Sequence, residues 1–182
     1  GRALVRFAAA AGGVGATAPK IAILAEDAEP FTDCELSVSQ EAVRLGLALF
    51  SGHYSAGTFP KELAKNLRDS GVEWVVFAGR GADAKAFLTA AAEIGWKPRL
   101  LSWAAFAGAD LLAADAGWDG RIYLAMPALP PNPEDAQGAG FLRFAERHRL
   151  ARVDVASQMR ALAAARVLVE ALQRTGRDLD RE

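Results

Sequence analysis

Cysteine, histidine, methionine and tyrosine are all scarce in this chain: one, two, two and two among 182 residues. The lone Cys34 excludes an internal disulfide framework and any metal site built on several cysteines. The two histidines, His53 and His148, show no ligand spacing, so neither a metal nor a cofactor is expected. Charge of one sign is lacking too. Lysine and arginine total 21 against 22 aspartate and glutamate, so net charge gives no reason to expect a polyanionic partner. The tightest charge run, Glu146-Arg147-His148-Arg149, reads as a solvated helix end, and no basic face with stacking groups points to nucleic acid. No apolar run reaches the length of a membrane span. The opening Gly1-Arg-Ala-Leu-Val-Arg-Phe7 has no signal-peptide core. With no initiator methionine, it reads as the start of an excised piece.

Most informative is the stretch from residue 71 to 101. An apolar run (Val72 to Ala78) is followed by a glycine hinge (Gly79-Arg80-Gly81), a helical pattern, a stop (Gly95-Trp-Lys-Pro98) and a second apolar run from Leu100. Strand, tight turn, helix and strand within about thirty residues make one βαβ unit. The alternation extends along the chain. Strands are expected at 20–26, 48–54, 72–78, 99–104 and 121–126, and helices at 2–10, from Thr32 on, 59–70, 82–94, 134–148 and 155–175, with a short helical turn at 110–114. Thr32 with Glu35 forms a capping-box pattern for the second helix. That helix carries a wide apolar stripe: Leu36, Val43 and Leu47 beside Cys34, Val38, Ala42 and Leu45. Nearly continuous apolar strands mean a sheet covered on both faces. The expected fold is α/β: a doubly wound, five-stranded, mainly parallel sheet of order 2-1-3-4-5.

Several motifs carry competing readings. Gly13-x-Gly15-x-x-Ala18 precedes its strand, so the helix start that would hold a pyrophosphate is missing, and a surface loop is the plainer reading. Gly79-x-Gly81-x-x-Ala84 follows a strand and opens a helix, but the next strand carries Ser102 and Trp103 in place of an acidic ribose ligand. A nucleotide enzyme using that turn is the least favoured reading. Glu26-Asp27 at the end of the first strand resembles a phosphoacceptor receiver, yet Ala78-Gly79-Arg80 and Ala125-Met126-Pro127 lack its Asp and Lys. No Gly-x-Ser-x-Gly elbow is present, Cys34 lies on the expected buried stripe, and no catalytic residue is assigned. What remains is the set beyond the strand ends: Phe31, Thr32, Tyr54, Arg80, Gly81, Trp103 and Phe106. Aromatics with one cation and backbone amides suit a small organic ligand. Trp103 and Phe106 are equally the kind of residue that fills a core, and both readings stay open here.

A family resemblance rests on five stretches in order. They are Lys20-Ile-Ala-Ile-Leu-Ala-Glu-Asp27 with Pro30-Phe-Thr-Asp33, then Leu63 to Gly71 with Trp74 to Gly79, Ile94 to Ser102, Tyr123 to Pro127, and Leu168 to Gly176. Together these resemble the second lobe of the leucine/isoleucine/valine-type periplasmic binding proteins. The resemblance implies two α/β lobes holding a ligand in the cleft between them. This chain, 1–182, is then expected to be a single lobe lacking the first. It implies a small-molecule ligand, an ABC permease partner and an extracytoplasmic location, with no chemistry performed. Carried over by position, Phe31 is the ligand-facing aromatic and Thr32 replaces the usual glycine. Ala104 stands where amino-acid binders place an acid for the ligand ammonium. Phe59-Pro60 replaces an Asp-Phe pair. An aromatic or aliphatic carboxylate, rather than an ordinary branched-chain amino acid, is therefore the expected ligand. A sensory ectodomain, or the effector lobe of a repressor, shares the fold and is the alternative.

Overall fold

A computed structural model describes residues 1–11, 18–126, 136–151 and 155–175. It divides into two compact units, Gly1–Met126 and Pro127–Glu182. The first holds five strands: β1 (Ile21–Glu26), β2 (Leu49–Tyr54), β3 (Trp74–Ala78), β4 (Arg99–Trp103) and β5 (Ile122–Ala125). Its helices are α1 (Arg2–Ala11), α2 (Phe31–Arg44), α3 (Lys61–Asp69), α4 (Gly81–Glu93) and α5 (Ala104–Leu112), with a 3₁₀ turn at Ala116–Trp118. The order is β2-β1-β3-β4-β5 and every pairing is parallel. The expected topology is therefore the observed one. In the second unit, α6 (Ala136–Arg147) stacks Phe144 on His148 at its end, and α7 (Val155–Thr175) carries an Arg174–Glu170 pair.

Parallel strands explain the continuous apolar runs, since both faces of the sheet are covered. Every residue of β1 and of β3 is buried. Alternate residues feed two cores. Leu24, Val75, Phe77 and Leu100 pack with Phe87, Leu88 and Ala91 of α4 on one face. On the other, Ile21, Ile23, Trp74, Val76 and Leu101 pack with Leu4, Val5 and Ala8 of α1 and Val38 and Ala42 of α2. A period-two strand must split its side chains this way.

Gly95 ends α4 with φ 68°, the left-handed conformation that a side chain resists. The Gly95 and Trp96 amides donate back to Ala92 and Ala91, satisfying carbonyls that the helix leaves open. Equivalent bonds close α2 and α3. Between α1 and α2, Glu41 Oε1 accepts from Arg6 Nε at 2.7 Å and from Arg44 Nη2 at 2.6 Å. These two guanidiniums, Arg44 first, hold the Glu41 carboxyl well down, at about 2.

Four local expectations need correction. α2 starts at Phe31 behind Pro30, and no side chain caps it. Thr32 lies inside its first turn, with its amide directed to the Ala28 carbonyl, so the capping box does not form. The apolar stripe is narrower than the spacing indicated: Leu36 and Val43 are exposed, because that side of the helix faces solvent rather than the sheet. Cys34 is only partly buried. α5 begins directly after β4, at Ala104, and breaks at Gly108, where φ is 57°. Gly12 to Thr17, the prolines of 127–133 and Gly176 lie outside the described residues.

Candidate functional site

All five strands end on one rim, as parallel polarity requires, and ligands of open parallel sheets sit beyond that rim. The sequence-selected residues fall on it in two groups. The first is aromatic. Phe31, the opening residue of α2, meets Phe106 of α5 edge-on with ring centres 5.0 Å apart. Phe106 in turn lies 5.9 Å from Trp103, the last residue of β4. Three rings from three elements thus form one cluster. Phe31 is buried, whereas Trp103 and Phe106 are part-exposed and remain available at the surface. Thr32 is exposed beside them, and Ala104 is part-exposed at the start of α5.

The second group is polar. Glu26 closes β1 with its side chain only 2% exposed, and its Oε1 stands 3.1 Å from Nη2 of Arg80. Arg80 is the residue before α4 and its side chain is 65% exposed, so one end of the guanidinium is held by a buried carboxylate while the rest faces outward. Guanidinium carries five donors, and this pairing leaves most of them free. Tyr54 lies opposite Glu26 in the β1–β2 register. Its ring packs on Phe59 and Phe77, and its hydroxyl leans over Gly79, where a Cβ would come within 1.7 Å of it. Burial, then the Asp83 and Glu26 carboxylates, push the Tyr54 hydroxyl far above the ordinary phenol range, with Arg80 opposing. Buried Asp83, in the first turn of α4, accepts from the Gly57 amide at 3.0 Å and so fastens the loop after β2. Negative charge near a helix start is favourable there.

Gly81 has a packing reason as well. A Cβ on it would stand 1.8 Å from the carbonyl oxygen of Ala107, so α4 and α5 meet through it. His53 is on β2, within the strand expected at 48–54. Its Nδ1 lies 3.3 Å from Asp27 Oδ1 and its Nε2 3.4 Å from Glu35 Oε1. Its two partners sit on opposite sides of the ring, so the three do not converge. Among the described residues no group of three such side chains could hold a metal ion. No described helix is long and apolar enough to cross a membrane.

Sequence reasoning missed Glu26 and Asp83 as parts of the site. The available signal is an acidic residue closing an otherwise apolar strand.

The family profile described as "Periplasmic binding protein" matches residues 1–182. The chain belongs to the periplasmic binding protein family. Solved structures of similar fold include an extracellular ligand-binding receptor from Verminephrobacter eiseniae, 16% identical, with TM-score 0.72 over 100% of this chain and 52% of that one. A branched-chain amino acid ABC transporter protein from Thermus thermophilus with bound valine is 20% identical, with TM-score 0.69 over 99% of this chain and 47% of the other. A solute-binding protein of an R. palustris ABC transporter in complex with 4-hydroxybenzoate is 19% identical, with TM-score 0.50 over 61% and 29%. At these identities the likeness is one of fold. This periplasmic binding protein chain spans about half or less of the length of those three structures. No curated protein matches its sequence.

Proposed function

We propose that this chain is the ligand-binding lobe of an extracytoplasmic solute-binding protein of an ABC importer, for amino-acid-like or small carboxylate solutes. The observation that carries the reading is the pairing, on one rim, of an aromatic cluster with an outward guanidinium anchored by buried Glu26. A solute carboxylate would take the free edge of Arg80, and its hydrocarbon part would lie on Trp103 and Phe106. Closure of a second lobe over the rim would bury both contacts and stabilise the closed state. No step here needs a nucleophile or a general base. Valine and 4-hydroxybenzoate, held by two of the solved relatives, are both carboxylates, which supports the class.

The test is calorimetry of the full two-lobe protein against pairs of compounds with and without the carboxylate, such as 3-phenylpropanoate and ethylbenzene. Arg80→Met should weaken the carboxylate by about tenfold to a hundredfold, as loss of a charge-assisted hydrogen bond of about 1.5–3 kcal/mol does. Equal binding of the two compounds would reject the reading. The isolated chain offers half the contacts and should bind no tighter than roughly millimolar, about 4 kcal/mol.

A further inference from the structure

A second concavity lies away from the rim. Lys97 stands just before β4 and Ala114 to Trp118 just before β5, so both mark the amino ends of their strands, opposite the end that carries Phe31 and Arg80. Between these two connections and one side of α4 runs a cleft of about 400 Å³. Small-molecule sites span roughly 300–1,000 Å³, so the cleft is large enough to hold one. Its α4 wall is Lys85, Leu88, Thr89 and Ala92, spaced so that all four share one helical face. Leu88 and Trp118 are buried and give it a firm apolar floor. Gly117 forms part of the facing wall, and a Cβ there would lie 3.5 Å from Lys97 Nζ, which places that ammonium over the turn.

Two ammonium groups, Lys85 and Lys97, therefore border an apolar hollow, and among the described residues neither side chain has a hydrogen bond or ion pair. The carboxylate in the lining, Asp115, is engaged: its Oδ1 accepts from the Gly117 amide at 2.7 Å and caps the 3₁₀ turn. Glu93, next along α4, holds Lys61 at 2.6 Å. The Thr89 hydroxyl donates to the Lys85 carbonyl at 3.0 Å. The two lysines are thus the charged donors left to an incoming group. A solvated lysine needs no partner, but two of them at the edge of an apolar floor select a particular chemistry. Charge calls for an anion, and the floor calls for hydrocarbon attached to it. We propose that this cleft is a second binding site, separate from the rim, for a small organic anion. Lys85 and Lys97 take its charged head, and its apolar body lies on Leu88 and Trp118.

The experiment follows the Trp118 indole N–H by NMR in the full two-lobe protein carrying Arg80→Met, which takes away the rim cation. Loss of the signal in Trp118→Phe assigns it. Phenyl phosphate, phenylacetate, benzyl alcohol and inorganic phosphate are added in turn. At least one of the two organic anions should shift the resonance saturably, with Kd about millimolar or lower and about tenfold tighter than benzyl alcohol or inorganic phosphate. The tighter of the two identifies the head group. Lys85 and Lys97 are both exposed, so replacing the pair by Met spares the fold and should weaken the anion by about tenfold or more. Gly117→Leu keeps both charges but projects a side chain beside Lys97, and should block binding. Benzyl alcohol binding as tightly as the anions would overturn the proposal. So would inorganic phosphate doing the same, which would leave a diffuse cationic surface only. No saturable shift by about 10 mM, or affinity unchanged in the double lysine variant, would overturn it as well. None of these outcomes bears on the rim, whose cation the tested protein lacks.

Discussion

Gly79 and Gly81 are two residues apart, and adding one methyl group to each should have different consequences. At Gly81 the new carbon would lie 1.8 Å from the Ala107 carbonyl oxygen and 2.7 Å from its carbon, both backbone atoms. An ordinary carbon–oxygen contact is about 3.3 Å, so α4 and α5 must separate by about 1.5 Å. The backbone at Gly81 is not left-handed, so the penalty is overpacking alone, about 3 kcal/mol. For a chain of this size that lowers Tm by roughly 6–12 °C. At Gly79 the obstacle is the Tyr54 hydroxyl at 1.7 Å, the end of a side chain that Phe59 and Phe77 hold in place. Gly79→Ala should therefore destabilise by about 2 kcal/mol. Combining it with Tyr54→Phe removes the obstructing atom and leaves contacts at 3.0 Å, so most of the loss should return. The coupling energy of that cycle should be about 1.5 kcal/mol. Tyr54→Phe should give Gly81→Ala no comparable rescue. Thermal or urea unfolding of the six proteins, the parent with three single and two double variants, measures all of this. A Gly81→Ala protein melting within about 2 °C of the parent would refute the close approach of α4 to α5.

Other expectations follow from the packing and the charges. Because the folded Glu41 carboxyl titrates at about 2 instead of 4.5, its pairing with Arg6 and Arg44 stabilises the fold above about 4.5 and is lost as pH falls toward 2. Thermal melts across that range should show parent and Glu41→Gln converging at the acid end; parallel curves would contradict this. Phe87→Ala removes a fully buried ring that touches Phe59, Phe77 and Trp96, and should cost about 3–5 kcal/mol in urea unfolding. Ser102→Ala deletes a buried hydroxyl donating to the Phe77 carbonyl at 2.9 Å and should cost about 1 kcal/mol.

The sheet was readable because its determinants are local. Runs such as Val72–Ala78 are apolar throughout, helices stop at glycines, and one complete βαβ unit fixes the parallel sense. The site was readable only by position. Phe31, Trp103 and Phe106 could be placed at strand ends, but that their rings meet depends on where α2 and α5 dock. Thr32 looked like a cap because spacing cannot tell an N-cap from a first-turn residue when a proline stands two places earlier. Gly81 was selected for its backbone amides, whereas its contact with Ala107 joins residues far apart in sequence and leaves no local trace. Glu26 went unrecognised for a related reason. A carboxylate at a strand end is usually solvated, and its burial here depends on long-range packing that leaves no local trace in the sequence.

Because all five strands leave the sheet in the same direction, the proposed function puts folding and recognition at different heights of one object. The layers formed by Ile23, Val76, Phe77 and Leu101 are buried within the sheet, below its rim. A lineage could exchange the handful of groups at the top and acquire a new cargo while the lower layers stay as they are.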